Sequence, residues 1–487
     1  MLNPEPILPP VSLIPIALAL ALALAPQTAA SPPARFVDMT SQLGLTMGTD
    51  AACWVDIDND GWTDLIVSGV VWRNIDGKRF VRLADVGGSV VAADYDNDGF
   101  ADLFCYSTMK LYHNEEGQRF IEVPLPPLPK TVARGACWGD LDGDGFVDLF
   151  IGGYEDWGAG ITFPSMILMS QQGKSFKLGW QEAAYRTRGV TACDFNRDNA
   201  LDVYTSNYRL QPNQLWMNDG KGRFQDVAPV KNAVATSPGF DGGHTIGSCW
   251  GDFDNDGEFD LFVGNFAHVD NRGDQPKSRF LRNLGPKQGY AFDDLGTGGV
   301  FYQESYATPA AGDFDNDGRL DLYLTTVYGT ASFGKPNHAV LFRNEAGFKF
   351  TDVTASSGLA NLPPTYQAAW ADLRHDGSLD LVTAGKCFAN EGNEHAWLEV
   401  RLHGDGRAVN GSAIGSQVRI KRKDGTLTRQ VEAGTGEGNQ NDLVLHFGLG
   451  AAKAPVDIDI TWPNGKTQSV KRAGPDRIID VKYEPER

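Results

Sequence analysis

The chain has 487 residues, with 62 Asp and Glu against 43 Lys and Arg, and a formal net charge of −19. An acidic chain without a basic stripe lacks the electrostatic footprint of nucleic-acid binding, so no nucleic-acid partner is expected. Its six cysteines have no metal-type spacing, and no nucleophile elbow, phosphate loop or zinc motif is present.

The N-terminal segment is apolar from Val11 to Ala25 and ends in small residues from Thr28 to Ser31. That is the layout of a signal peptide over residues 1–30, cleaved after Ala30. Its n-region is atypical, because Glu5 lies in it and no Lys or Arg precedes Arg35. A membrane anchor is the other reading, although a run of about 15 residues is short for a span. Cleavage leaves no stable membrane span and places the chain outside the cell or in the periplasm, where calcium is plentiful.

After RFVDMTSQLGL, from Arg35 to Leu45, the nine-residue pattern D-x-D-x-D-G-x-x-D begins and is written seven times, intact or eroded. The spacing of about 50 residues is that of one supersecondary unit. Five copies are intact: Asp56, Asp58, Asp60 and Asp64; Asp94, Asp96, Asp98 and Asp102; Asp140, Asp142, Asp144 and Asp148; Asp252, Asp254, Asp256 and Asp260; Asp313, Asp315, Asp317 and Asp321. Carboxylates at positions one, three and five converge on one point, the glycine at six permits a sharp reversal, and position nine closes the cage. Crowded aspartates repel by about 4 kcal/mol per pair at intermediate dielectric unless a cation neutralises them, and hard oxygen ligands suit Ca2+. The fourth copy keeps Asp194, Asn196, Asp198 and Asp202, with Asn199 replacing glycine as the residue best able to take a positive φ. In the seventh copy Arg374 stands at position three, where it can neutralise Asp372 and Asp376 without metal. Five or six structural Ca2+ ions are therefore expected, and six would bring the net charge from −19 to about −7, an ordinary soluble value.

The loops are not EF-hands, since position twelve is Val67, Cys105, Ile151, Val263 or Leu324 rather than Glu. Each runs instead into a short buried strand such as LIVSG or LFVGN. A second motif follows, a polar residue, a Gly-containing turn and Phe, as in NIDGKRFVRL and NEAGFKFTDVT, giving four strands per repeat. Four-stranded units repeated about an axis make a β-propeller, so the fold is all-β with seven blades over residues 31–392. The seventh repeat lacks its outer strand, and RFVDMTSQLGL supplies it from the N-terminus, closing the ring without an open sheet edge. Two residues before each loop stand Trp54, Ala92, Trp138, Ala192, Trp250, Ala311 and Trp370, an alternation expected from packing between blades. Cys53, Cys137 and Cys249 occupy equivalent positions one residue earlier and are expected to be buried thiols that do not pair with one another.

Successive hairpins alternate between the two rims, so the Asp loops share one face and the longer connections occupy the other. GYEDWGAGITFP, PVKNAVATSPGFDGGHTIG, NFAHVDNRGDQPKS, GTGGVFYQESYATP and VYGTASFGKPNH are these connections. Binding sites concentrate in such segments on a rigid scaffold. They carry His244, His268, Asp270, Glu304, Tyr306, Tyr328 and His338, of which His244, His268, Glu304 and His338 are the candidates for acid/base chemistry or a second metal. Arg272-Gly273-Asp274 spells an adhesion tripeptide, and Asn410-Gly411-Ser412 spells a glycosylation sequon.

Residues 393–487 read as a small β-sandwich or barrel beside the propeller, with hairpins about Asp424-Gly425 and Asn464-Gly465. The basic run at Lys421 to Lys423 reads as one solvated strand face.

On the Asp loops and Gly-Phe turns, residues 35–390 are similar to the FG-GAP/VCBS repeat family, whose integrin-type propellers carry calcium in hairpin loops of this form. Downstream, HAWLEVRL, AVNGSAIGSQVRIKRKDG, LVLHFGLG and VDIDITWPNGKTQSV resemble the ASPIC/UnbV domain, and the whole resembles the cartilage acidic protein family. This resemblance implies a secreted calcium-binding propeller that binds a carbohydrate, matrix component, protein or small molecule through its long-loop face. Enzymes with similar propellers make the other reading an enzyme using that face on a glycan or secondary metabolite.

Overall fold

The computed structural model describes residues 35–182, 185–268 and 273–485. The expected signal peptide, Asp270 and Arg272 lie outside the described residues.

Among the described residues, seven four-stranded antiparallel sheets carry the repeats. Their inner strands are Ala52–Val55, Val90–Ala93, Ala133–Gly139, Thr187–Cys193, Thr245–Gly251, Tyr306–Gly312 and Ala368–Ala371. Each inner strand touches the next, and the last touches the first, so the sheets stand in a closed ring. Position nine of each Asp loop opens the second strand, as in Val55 opposite Asp64 and Gly312 opposite Asp321. The seventh sheet takes its outer strand from Phe36–Asp38, paired antiparallel with Lys386–Asn390, which is the exchange expected from the sequence.

The alternating Trp residues do pack between sheets. The indole N–H of Trp54 donates to Ala369 O (3.3 Å), that of Trp138 to Val91 O (3.2 Å) and that of Trp370 to Ala310 O (3.2 Å), each in the preceding sheet of the ring. A second staple lies on the loop rim. Six sheets carry an Asn at the end of the third strand, and its side-chain amide reaches the position-two carbonyl of the preceding loop: Asn74 to Leu373 (3.0 Å), Asn114 to Ile57 (2.8 Å), Asn218 to Leu141 (2.8 Å), Asn283 to Phe195 (3.0 Å), Asn344 to Phe253 (2.9 Å) and Asn390 to Phe314 (2.8 Å). The third sheet has Ser170 there, too short to make the crossing. All six cysteines are buried free thiols, Cys105 bonding Gly87 O (2.8 Å).

The C-terminal segment forms two sheets. One joins Leu445–Gly450, Ala396–His403 and Ile478–Lys482; the other joins Gly425–Gln430, Gln417–Arg422, Val456–Thr461 and Thr467–Ala473. Both expected hairpins are present. The expectation that this segment lies beside the propeller is corrected: it sits on the Asp-loop face. Its hydrophobic core is continuous with that of the second to fourth sheets, Leu398, Val418 and Phe447 clustering with Phe104, Trp138 and Val190.

From this seat residues 431–442 enter the axial channel as a hairpin, closed by Thr435 and Asn439 exchanging backbone bonds (2.8 and 3.0 Å). The channel wall is a set of strand edges with backbone groups to satisfy, and a small, amide-rich hairpin satisfies them. Ala52 N donates to Asn439 Oδ1 (2.9 Å), Ala92 N to Gln440 Oε1 (2.9 Å), Trp138 N to Ala433 O (2.9 Å) and Trp370 N to Asn441 Oδ1 (2.9 Å), while Gly436 N donates to Ser248 O (3.0 Å). At its tip Glu437 forms a buried ion pair with Arg188 (2.6 Å) on the inner strand of the fourth sheet. The sequon is inaccessible, because Asn410 is fully buried and donates to Ile414 O (3.0 Å).

Replacing Asn344 with Ala leaves the carbonyls of Phe253 and Leu320 without their donor, and urea unfolding should show a loss of about 2–4 kcal/mol. A loss below about 0.5 kcal/mol, the size of an ordinary surface substitution, would contradict the staple.

Candidate functional site

Each Asp loop is built from its own backbone. The position-one carboxylate accepts from the amide of position six: Asp56 from Gly61 (2.9 Å), Asp94 from Gly99 (2.9 Å), Asp140 from Gly145 (2.9 Å), Asp252 from Gly257 (3.1 Å) and Asp313 from Gly318 (2.9 Å). Position six takes φ between 88° and 97° in these copies, and Asn199 takes 67° in the fourth, as expected from its sequence. The position-nine carboxylates, at most 1% exposed, accept in every loop from the backbone amide of the residue that ends the third strand and, in all but Asp202 and Asp380, from the position-two amide, as Asp64 does from Asn74 (2.6 Å) and Ile57 (2.9 Å).

These bonds gather the expected ligands. Carboxylate oxygens of Asp56, Asp58 and Asp64, of Asp94, Asp96 and Asp98, of Asp140, Asp142 and Asp148, and of Asp252, Asp254 and Asp260 come within 4.8 Å of one another. One buried carboxylate oxygen has no hydrogen-bond donor in the first, third, fourth, fifth and sixth loops, on Asp56, Asp142, Asp202, Asp252 and Asp315 respectively. A buried acceptor without a donor is costly, and a cation in the cage is the group that such a donor set suits. Burial, reinforced by neighbouring aspartates, lifts the carboxyls of Asp56 and Asp140 to about 6, Asp94 to about 7, and Asp64 and Asp252 to about 8. Asp102, Asp148, Asp202, Asp260 and Asp321 are likewise held well above the usual carboxylate range by burial and neighbouring aspartates.

Two sets of loop residues were not anticipated. The residue before the stapling Asn brings a base against the loop in three copies: Arg73 on Asp58 (2.7 Å), His113 on Asp96 (3.3 Å) and Asp102 (3.2 Å), and Arg282 on Asp254 (2.9 Å). Position four joins the loops around the rim, Asn59 donating to Gly99 O (2.7 Å), Asn97 to Gly145 O (2.9 Å), Asn255 to Gly318 O (3.0 Å) and Asn316 to Gly377 O (2.7 Å). The recurring Asn at position four was the available signal. In the seventh copy Arg374 does take the charge role, but its ion pairs are with Asp376 (3.1 Å) and Asp380 (3.0 Å), whereas Asp372 instead accepts from the amides of Asp376 and Gly377. The fixed reach of the guanidinium from position three favours position nine over position one.

All seven loops meet the C-terminal domain. Arg401 donates to Gly61 O (2.8 Å), Asp94 N to Ser412 Oγ (3.0 Å), Gln417 to Asp194 O (2.9 Å), Thr426 N to Asn255 O (2.8 Å) and Gly448 N to Asp313 Oδ2 (3.0 Å). Gly145 approaches Arg407, and Gly377 approaches Trp397, so closely that a side chain would not fit at either glycine. The loops are thus interfacial as well as turn-forming.

On the opposite rim, His244 and His268 come together with ring centroids 5.0 Å apart, and His268 Nδ1 lies 3.2 Å from Glu304. Glu304 also accepts from Ser332 N (2.6 Å) and Ser332 Oγ (2.7 Å), so its carboxylate braces the loop that carries Ser332. The ring of His338 lies against Phe301 instead, and Tyr306 is buried at the start of its inner strand. Tyr328 is exposed and packs edge-on against Phe266. The channel mouth on this rim is a cleft of about 570 Å³ lined by Tyr106, Arg134, Tyr366 and Glu437.

A family model described as FG-GAP-like repeat matches residues 94–151, 194–263 and 313–383, and one described as ASPIC and UnbV matches residues 406–487. The chain is similar to Cartilage acidic protein 1 of Xenopus tropicalis, 28% identical over 61% of this chain and 45% of the relative. It is also similar to Cartilage acidic protein 1 of Mus musculus, 24% identical over 88% of this chain and 73% of the relative. The chain thus spans less than half the length of the first and about three quarters of the second. Among solved structures it resembles BBS1N in complex with ARL6DN, with a TM-score of 0.42 and 11% identity over 73% of this chain and 96% of that one.

The raised carboxyls set a pH dependence for the metal-free protein. Folded, these aspartates hold protons up to about pH 6–8, whereas unfolded ones release them near pH 4. Their contribution is full below about pH 4 and is lost as pH rises through the folded values. In excess chelator Tm should fall between about pH 5 and pH 8; a Tm that rises over that range would contradict the assignment.

Proposed function

As a chain of FG-GAP-like repeats ending in an ASPIC/UnbV domain, the protein is, we propose, a secreted, calcium-stabilised binding protein that engages an extracellular ligand through its long-loop face. One observation carries the reading: orphaned buried carboxylate oxygens sit in loops held beneath the C-terminal domain, while the opposite rim is left open with a cleft at its centre. Ca2+ held by the five intact loops, and by the fourth with Asn196, supplies the positive charge that the buried aspartates lack. It thereby stiffens both the propeller rim and the seat of the C-terminal domain. No described helix is long and apolar enough to cross a membrane. With the loop face covered, a partner meets the long-loop rim, where exposed Tyr328 stands.

Removing calcium from the full chain should lower Tm reversibly by about 5 °C or more, because an ion that binds only the folded form adds to its stability. An unchanged melting curve in excess chelator would overturn the calcium role. With calcium present, a panel of glycans and extracellular-matrix proteins should retain the chain, and failure of every member to do so would count against a binding function.

A further inference from the structure

The cleft at the long-loop mouth contains a side chain that belongs to the other end of the molecule. Glu437, at the tip of the C-terminal hairpin, is 4% exposed after passing through the channel. Glu437 lines the cleft, its Oε1 accepting from Arg188 Nε (2.9 Å) and Nη2 (2.6 Å) while its Oε2 is buried and has no donor. Arg188 is walled by Tyr154, Tyr208 and Tyr366, its guanidinium carbon 5.4, 5.3 and 4.9 Å from their ring centroids. Arg134, at the equivalent position of the neighbouring inner strand, is exposed on the same cleft, and Asp50 stands on another wall.

We propose that this cleft is a carbohydrate-binding site whose floor, Glu437, is contributed by the C-terminal domain. The inference rests on the long-loop face being the binding face, and it adds the site and the ligand class. The charges select the class. A cation in the cleft would meet Arg134 and Arg188, and an anion would meet Glu437 and Asp50. A neutral polyol avoids both penalties, since one hydroxyl donates to Glu437 Oε2 and an adjacent one accepts from Arg134. A carboxylate and a guanidinium on one cleft offer charge-assisted acceptor and donor groups to the hydroxyls of a sugar ring, and Tyr106 and Tyr366 give the cleft aromatic surface. The site is also incomplete in the propeller alone, because no described repeat residue stands where Glu437 does.

The test is retention of the full chain, with calcium, on an array of neutral hexose and N-acetylhexosamine oligosaccharides, with matrix proteins arrayed alongside. Wild type is compared with Arg134→Ala, Glu437→Gln and Trp157→Ala. Arg134 is exposed, so its substitution leaves the fold intact and keeps the test open if Glu437→Gln unfolds. We expect sugar affinity to fall by at least about tenfold in Arg134→Ala, and in Glu437→Gln where it folds, with Trp157→Ala close to wild type. Sugar binding that survives Arg134→Ala but is lost in Trp157→Ala would overturn the cleft while leaving long-loop binding in place. Retention on matrix proteins without any sugar binding would overturn the carbohydrate class alone. Loss of all retention would remove the underlying reading as well.

Discussion

The structure depends on a carboxylate buried at the start of the second strand of every repeat. The position-nine aspartate is at most 1% exposed in all seven sheets, so each must find hydrogen-bond donors in the fold or be paid for by charge. It finds the backbone amide of the residue that ends the third strand, an Asn in six sheets, and in five loops the position-two amide as well. That same Asn reaches the position-two carbonyl of the preceding loop, so the bonds run from sheet to sheet. They close the ring where Asn74 meets Leu373 and lapse at Ser170. One residue type thereby fixes the hairpin, the spacing of the sheets and the rim on which the remaining loop aspartates converge.

The C-terminal domain completes this arrangement. An axial channel lined by strand edges leaves backbone groups unsatisfied, and the hairpin of residues 431–442 supplies Asn439, Gln440 and Asn441 to them. Its tip pairs with Arg188, and breaking a buried pair of that kind costs about 3–5 kcal/mol because the remaining charge is stranded. Calcium at the loops and a ligand at the opposite mouth would act on the two ends of one continuous element. The loops bear the domain from which the hairpin departs, and the cleft receives its tip.

Much of this was legible in the sequence. The Asp loops, their erosion at Asn199 and Arg374, the Trp alternation and the strand supplied by Phe36–Asp38 all follow from spacing, because each is a local pattern repeated many times. The hairpin is a single event. Its residues, Glu432 to Asp442, are small and polar with no apolar period, which reads as an exposed loop, and its partner Arg188 lies 249 positions away from Glu437. The same limitation hid Arg73, His113 and Arg282, whose approach to the loops depends on strand register. On the long-loop rim His244, His268 and Glu304 come together, Glu304 also accepting from Ser332, while the ring of His338 turns to Phe301 and Arg134 and Glu437 line the channel mouth.

The central claim is that the Asp loops, with the calcium proposed for them, the C-terminal domain and the channel hairpin form one coupled unit. Hydrogen–deuterium exchange of the full chain, followed at the amides of Thr435, Gly436, Asn439 and Gln440 with and without calcium, tests it directly. The account predicts strong protection with calcium and a joint acceleration of these amides and the Asp-loop amides on chelation. Rapid exchange of the hairpin in the presence of calcium, at the rate of an unstructured loop, would contradict it.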